Sequence, residues 1–317
     1  MQAVRTPKKG NDMQDGQTAW RARTEKVRNF MNSIGIEAVA FLPPGPYEKL
    51  EQFLRDRQWE PERAKQYATP SYLLEDVRSV ITALFPYYAG EEAGNLSLYC
   101  RGRDYHRVIK EYFERLLHFL NQEISEVEIH ARVCVDTGPV IDRYFAMRGG
   151  LAEAGRNNLL YRKGMGSYFF IGSMLVNLPF LTEEVEPQMA AACRECERCI
   201  RSCPGGALKR DGTFDPQRCR SAITQKKGEL EDWEWTILEK DSLIFGCDVC
   251  QRVCPMNQHL LPTALPEFRE DRIITVSKAE LEGLSERRFQ EIYGDRAFAW
   301  RGKKVLLRNL NINGGEE

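Results

Sequence analysis

The chain has 317 residues, 42% of them hydrophobic and 29% charged, and its 45 basic and 46 acidic residues leave a formal net charge of -1. That balance excludes a largely disordered chain and a strongly cationic, non-specific binder of nucleic acid or membrane. The longest apolar run, residues 168–181, is broken by Gly172, Ser173, Asn177 and Pro179 and is too short to span a bilayer. No apolar stretch follows the basic residues near the N-terminus, so the sequence reads as a cytoplasmic protein with no secretory signal and no membrane partner.

In chain order, residues 1–18 are polar and rich in Gly, Gln and Lys, and read as a disordered tail. An amphipathic helix is predicted over 18–33 and a short apolar strand over 36–42, stopped by Pro43, Pro44 and Pro46. A helix follows over 47–58. The β-branched and aromatic run VRSVITALFPYY (77–88) reads as a buried strand. A long helix over 104–124 carries Val108, Tyr112, Leu116, Phe119 and Leu120 on one stripe. A strand over 126–135 leads into Asp136-Thr137-Gly138-Pro139, with a helix continuing over 140–147. The Gly-rich connection GGLAEAGRNN and the aromatic strand SYFFIGSMLVNLPFL complete an α/β arrangement over the first ~180 residues.

An acidic linker, 183–189, precedes a cysteine-rich module, and helices are predicted over 278–293 and 300–310. Apart from two cysteine runs the chain has no internal repeat. The boundaries expected from this reading are a tail over 1–18, a catalytic domain over 19–182, a cysteine module over 183–265 and a helical segment over 266–317. The overall class is α+β.

Ten cysteines are present, eight of them between Cys193 and Cys254; Cys100 and Cys134 lie outside. Clustered cysteines in a reducing compartment point to metal rather than to a disulfide scaffold. Cys193, Cys196, Cys199 and Cys203-Pro204 make C-x2-C-x2-C-x3-C-P, and Cys247, Cys250 and Cys254-Pro255 repeat its last three members. Ile244 stands at the first position of that second run, and Cys219 supplies an eighth thiol. Eight thiolates serve two [4Fe–4S] clusters, and in this spacing the cysteine before proline ligates the other cluster. The predicted sets are therefore Cys193, Cys196, Cys199 and Cys254 for one cluster, and Cys203, Cys219, Cys247 and Cys250 for the second. Closed zinc sites of four thiolates are the alternative.

GRDYH (102–106), VDTGP (135–139), Gly150, Gly155, GSYFFIG (166–172) and GCDVCQRVCPMN (246–257) occur in the order and spacing of the epoxyqueuosine reductases, a family that this chain resembles over about residues 34–310. The resemblance implies a nitroreductase-like α/β domain holding base-off cobalamin, beside a two-cluster ferredoxin-like domain. It implies reduction of the epoxide of epoxyqueuosine in a tRNA anticodon stem-loop, with electrons from a low-potential donor such as ferredoxin or flavodoxin. It also implies cofactor contacts at Gly138, Gly150, Gly155, Arg156, Asn157 and Ser167, a catalytic proton donor at Asp136, and a second catalytic acid near the substrate at Asp104.

Each of these residues has a plainer reading. Asp136 could cap the helix starting near Val140, with desolvation in a cofactor-filled pocket the reason for it to hold a proton instead. Asp104 could cap the helix that it opens, His106 could be a helix-surface histidine, Cys134 a small buried hydrophobe, and the glycines of 149–158 tight turns. Cys100 has no expected role.

The chain departs from the family in two places. Ala152, Glu153 and Ala154 replace an aromatic-containing Gly segment, and the chain stops shortly after 303–309, where family members continue into a tRNA-gripping helical-repeat domain. Arg301, Lys303, Lys304 and Arg308 form either a small phosphate-binding patch or a solvated face. Two rival functions remain: a corrinoid iron–sulfur reductase of a small or halogenated molecule, and a two-cluster electron carrier without corrinoid.

Overall fold

The apolar run predicted as a strand forms β2 (Ser79–Pro86), buried at seven of its eight positions. A strand covered on both faces reads as a continuous apolar run rather than as an alternation. In the computed structural model, which describes residues 11–124 and 127–311, β2 belongs to a four-stranded sheet of order β1-β2-β6-β3, formed with β1 (Val39–Leu42), β3 (Ala131–Cys134) and β6 (Phe169–Val176). β1 pairs antiparallel with β2, Phe41 opposite Ile81, and β3 pairs antiparallel with β6, Val133 opposite Met174. Two short strands, β4 (Glu153–Ala154) and β5 (Leu160–Tyr161), pair antiparallel across the Gly-rich connection.

The chain separates into two compact units, each assembled from non-contiguous stretches. The first runs to Leu84 and includes Lys110–Leu151 and Ile171–Glu186; the second comprises Phe85–Ile109, Ala152–Phe170 and everything from Pro187 onward. These units interleave along the chain, whereas the expected boundaries at 182 and 265 each cut it once. Composition changes along the sequence, whereas a compact unit is defined by which segments pack together, and segments 85–109 and 152–170 pack with the cysteine module.

In the first unit lie α1 (Asn11–Ser33), α2 (Glu48–Asp56), α3 (Pro61–Ala68), most of α4 (Tyr105–Glu123) and α5 (Asp142–Arg148). The expected tail is corrected over 11–18, which is helical; its residues 1–10 lie outside the described residues. No proline interrupts 11–33, and Thr24, Val27 and Met31 are buried, so packing at the C-terminal end supports the turns before it. Phe30 of α1 stacks on Phe119 of α4 at 4.4 Å. α3 was not expected. Its sequence, PERAKQYA, is short and polar, but Pro61 occupies its first turn and the Glu60 side chain accepts the N–H groups of Glu62 and Arg63. The core here gathers Leu42, Tyr47, Leu50, Leu54, Val80, Cys134, Phe145 and Leu175, with the Tyr47 and Phe145 rings edge-to-face at 5.1 Å.

The second unit carries short helices: α6 (Arg198–Ser202), α7 (Arg220–Thr224), α8 (Asp232–Leu238), α9 (Val249–Arg252), α10 (Pro266–Arg269), α11 (Lys278–Glu282), α12 (Glu286–Tyr293) and α13 (Lys303–Leu310). The helix expected over 278–293 is two helices. Gly283 ends α11, and the Ser285 hydroxyl accepts the Arg288 N–H to start α12. The helix expected over 300–310 begins only at Lys303, because Gly302 sits at φ +84, outside helical space. Leu96, Cys100, Ile244, Phe245, Phe289, Phe298 and Leu306 form the core of this unit.

Candidate functional site

The cysteine runs fold as short helical turns joined by extended prolyl segments. Cys193 closes a 3-10 turn, Cys199 lies on α6, and Cys203 ends that helix in an extended conformation before Pro204. Cys254 leaves α9 in the same way before Pro255. Proline biases the preceding residue away from helical space, so each Cys-Pro thiol leaves its own run. One cavity, of about 450 Å³ with its solvent-open mouth included, is lined by Cys193, Cys196, Cys199 and Cys254. A second, of about 1060 Å³ with its solvent-open mouth included, is lined by Cys203, Cys219, Cys247 and Cys250 together with Tyr87, Tyr99, Phe169 and Phe170. Among the described residues no three His, Cys, Asp or Glu side chains are gathered as a single-ion site requires; the thiols border spaces instead.

Burial governs the chemistry of the second set. It pushes Cys247 up to about 11, against the opposing Val249 N–H and Arg220 charge, and pushes Cys250 well above the ordinary thiol range, where neighbouring thiols add to the shift. Only thiolates ligate metal, so a cation must displace those protons as it binds. Arg220, 1% exposed, lies beside this set; its guanidinium donates to the carbonyls of Leu238, Asp241, Leu243 and Gly246. Asp248, also buried, accepts from the Ser97 hydroxyl and, at 2.9 Å, from the Leu98 N–H. Gln251 donates to the Ser167 carbonyl at 3.0 Å and to the Tyr87 hydroxyl at 3.2 Å. Sequence reasoning missed these supports, because a buried Arg or Gln between cysteines looks like any other polar residue.

The Gly-rich connection is built by its own turn. A Cβ on Gly155 would lie 2.6 Å from Asn157 Oδ1 and 3.2 Å from the Leu159 carbonyl, so a larger residue would have to displace the Asn157 side chain. Arg156 donates to the Arg210 carbonyl at 2.8 Å and to the Arg194 carbonyl at 3.5 Å, bracing two segments of the cysteine module. Gly155 and Arg156 line the smaller cavity, whereas Asn157 and Ser167 line both. Gly138 and Gly150 belong to the first unit; a Cβ at Gly138 would meet open space, and one at Gly150 would lie 3.6 Å from Val185.

Asp104, in the second unit, is the N-cap of α4. It accepts the His106 N–H at 3.0 Å and the His106 ring Nδ1 at 2.9 Å. Burial works to raise its carboxyl, but the hydrogen bonds and charge of His106 outweigh burial and hold it below the ordinary carboxylate value. Asp104 is thus an ionised cap that orients His106. Cys100 is buried and its thiol donates to the Ser97 carbonyl.

Asp136, in the first unit, does not cap a helix, since α5 starts at Asp142 after Ile141. It is exposed, so the protein's own atoms do not supply the desolvation expected for it. Its backbone sits at φ +54 in a tight turn closed by the Thr137 N–H on the Val135 carbonyl at 2.5 Å. Such three-residue turns are rare and strained for a residue with a side chain. Asp142 is the carboxyl that burial raises, up to about 7. Its Oδ2 accepts the Asp136 N–H at 3.0 Å and its Oδ1 accepts the Ser173 hydroxyl at 3.2 Å.

The basic residues near the C-terminus are largely engaged. Arg308 donates to the carbonyls of Lys226 and Gly228 at 2.7 Å, Lys303 donates to the Leu284 carbonyl, and Arg301 stacks on Trp300 at 3.5 Å. Among the described residues no helix is long and apolar enough to cross a membrane.

Residues 192–257 match the family described as "4Fe-4S double cluster binding domain", and residues 68–137 match "Epoxyqueuosine reductase QueG, DUF1730". A curated "Epoxyqueuosine reductase" of Bacillus anthracis is 33% identical over 306 residues, covering 90% of this chain and 78% of that protein. A crystal structure of epoxyqueuosine reductase with a tRNA-Tyr epoxyqueuosine-modified stem loop superposes with a TM-score of 0.76 at 29% identity, covering 92% of this chain and 80% of that one. A Bacillus subtilis epoxyqueuosine reductase, described with its catalytic aspartate loop swung out of the active site, gives a TM-score of 0.75 at 28% identity, covering 92% and 80%.

Proposed function

The chain belongs to the epoxyqueuosine reductase family, and from that premise we infer how its residues divide the work of reducing epoxyqueuosine in tRNA to queuosine. It is an oxidoreductase of tRNA queuosine processing with a double [4Fe–4S] domain. The reaction takes two electrons and two protons, and the epoxide oxygen leaves as water. The observation that carries the reading is the partition of eight thiols between two cavities, four to each.

In this reading Cys193, Cys196, Cys199 and Cys254 hold one [4Fe–4S] cluster, and Cys203, Cys219, Cys247 and Cys250 hold the other. Electrons arrive singly from a low-potential carrier such as ferredoxin or flavodoxin. The larger cavity fits a large, flat cofactor at one side of the second thiol set: Tyr87, Tyr99, Phe169 and Phe170 offer apolar contact, and Asn157 and Asn158 offer polar groups. Cobalamin bound there base-off would supply the low-potential reducing chemistry that the epoxide carbon requires.

Asp136 is the proton donor. In the B. subtilis relative a catalytic aspartate loop is described as swung out of the active site; the exposed Asp136 turn of this chain fits a donor whose carboxyl loses water only when substrate covers it. The partner is a tRNA anticodon stem-loop, as in the stem-loop complex of the related enzyme, and the setting is the cytoplasm.

The test is anaerobic reconstitution with iron, sulfide and cobalamin, followed by turnover on epoxyqueuosine-containing tRNA and on its stem-loop. The expected result is bound corrinoid and loss of one oxygen from the modified nucleotide. Bound corrinoid without turnover on either RNA would transfer the reading to a reductase of another substrate. Intact clusters without corrinoid binding would leave a two-cluster electron carrier.

A further inference from the structure

The turn that carries Asp136 is held from behind. β3 ends at Cys134, and the chain reaches α5 only at Asp142, whose side chain folds back over the intervening loop. Asp142 Oδ2 accepts the Asp136 N–H at 3.0 Å. Its other oxygen accepts the Ser173 hydroxyl of β6 at 3.2 Å, and Ser173 is hydrogen-bonded to Thr82 of β2 at 3.0 Å in a fully buried contact. One carboxyl therefore joins an exposed, left-handed residue to two adjacent strands of the sheet.

We propose that Asp142 is a positioning residue: its carboxyl tethers the backbone of Asp136, through Ser173 and Thr82, to the sheet and so fixes where the Asp136 carboxyl points. The proposal rests on the reading of Asp136 as the proton donor, and it adds what holds that donor in place.

Three features support it. Asp136 at φ +54 occupies a conformation that residues with side chains rarely adopt, so without an external contact the turn has little reason to persist. The anchor side is rigid: Thr82 and Ser173 are both 0% exposed on paired strands. The network also accommodates either charge state of Asp142. An ionised carboxyl accepts from both partners, whereas a protonated one can donate to Ser173 Oγ, whose hydroxyl then turns to Thr82, while Oδ2 still accepts the Asp136 N–H. The tether is stronger when ionised, because a charged acceptor makes the better hydrogen bond. The neighbouring ionisable groups, Asp136 on the loop and Cys134 on β3, interact with Asp142 electrostatically.

The test is hydrogen–deuterium exchange across residues 135–142 of the full, cluster-reconstituted chain, together with kcat and KM on the stem-loop. Asp142→Ala should speed exchange of the Asp136 amide about tenfold. It should lower kcat by about 10- to 100-fold with KM nearly unchanged, as expected for a misplaced reacting group. Asp142→Asn keeps an oxygen for the Asp136 N–H and an NH2 for Ser173, so it should restore slow exchange and most of kcat. Should Asp142→Ala not fold, Ser173→Ala severs the anchor alone and should speed the same amide.

Unchanged exchange at Asp136 in Asp142→Ala or Ser173→Ala would overturn the tether. Restored exchange in Asp142→Asn without recovery of kcat would overturn the positioning role and leave the charge as the important property. Exchange needs no turnover, so it judges the tether separately; turnover of Asp136→Asn judges the donor that the tether holds.

Discussion

Asn257 Oδ1 accepts the backbone N–H of Ser167 at 2.8 Å, and its Nδ2 donates to Ser167 Oγ at 3.0 Å and to the Gln251 carbonyl at 2.9 Å. A side chain three residues beyond Cys254 thereby fixes a residue that borders both thiol-lined cavities. Asn257→Ala would strand the buried Ser167 N–H, while the Ser167 hydroxyl keeps the Gln251 amide at 3.2 Å, and should cost about 1–3 kcal/mol. Chemical denaturation of the reconstituted protein reads this directly. An unchanged midpoint would mean that water replaces the amide.

Cys219→Ser removes one thiol of the larger cavity and none of the smaller. Iron should fall from about eight to about four atoms per chain, with one cluster spectroscopically intact. Loss of neither cluster, or stoichiometric zinc in place of iron, would remove the assignment of eight thiolates.

Asp136→Asn should lower turnover by roughly 10²–10⁴-fold if the residue is the general acid. Both clusters should survive, and thermal stability should change little, because Asp136 is exposed and the N–H that it gives to Asp142 is untouched. Normal turnover would leave the donor unidentified.

Asp142 gives stability a defined pH dependence. Its carboxyl is raised from 3.8 to about 7 by burial, with hydrogen bonds from Asp136 and Ser173 opposing and the charge of Asp136 adding. The folded state thus holds a proton that the unfolded chain releases, so this contribution is complete below about pH 4 and is lost as pH rises through about 7. At about 1.4 kcal/mol per pKa unit it amounts to at most a few kcal/mol, since the residue keeps some contact with water. Asp142→Asn should therefore be more stable than the parent at pH 8 and about equal to it at pH 4. Parallel stability curves over that range would refute the raised carboxyl.

Arg220→Met keeps length and burial but leaves four carbonyls without their cationic donor. Destabilisation of at least about 2 kcal/mol is expected, since each buried group left unpaired costs about 1–3 kcal/mol. The cluster held by Cys219 and Cys247 should be lost first on chelation, which iron release monitored by absorbance would follow. Loss of the other cluster first would detach Arg220 from this site.

The cysteine spacing by itself determined the number of ligands and their expected sets, because ligand geometry at a short C-x2-C run is local and Cys-Pro sends its thiol elsewhere wherever the run is placed. Composition and periodicity likewise marked β2 and the length of α4, since an apolar run or stripe must be buried whatever covers it. Helix ends were less legible. α3 depends on the Glu60 cap, and the breaks at Gly283 and Gly302 depend on backbone angles that a pattern of apolar residues does not report. What only the tertiary structure decided was which residues support which. Asp142 is six positions from Asp136 and Ser173 is thirty-one from Asp142, so nothing local joins them. Packing of distant segments likewise buried the Asp142 carboxyl while leaving Asp136 in water, whereas the His106 contact that ionises Asp104 is local, two residues along the chain. The charge state of a carboxyl depends on the atoms packed around it, and those come from parts of the chain that the local sequence does not name.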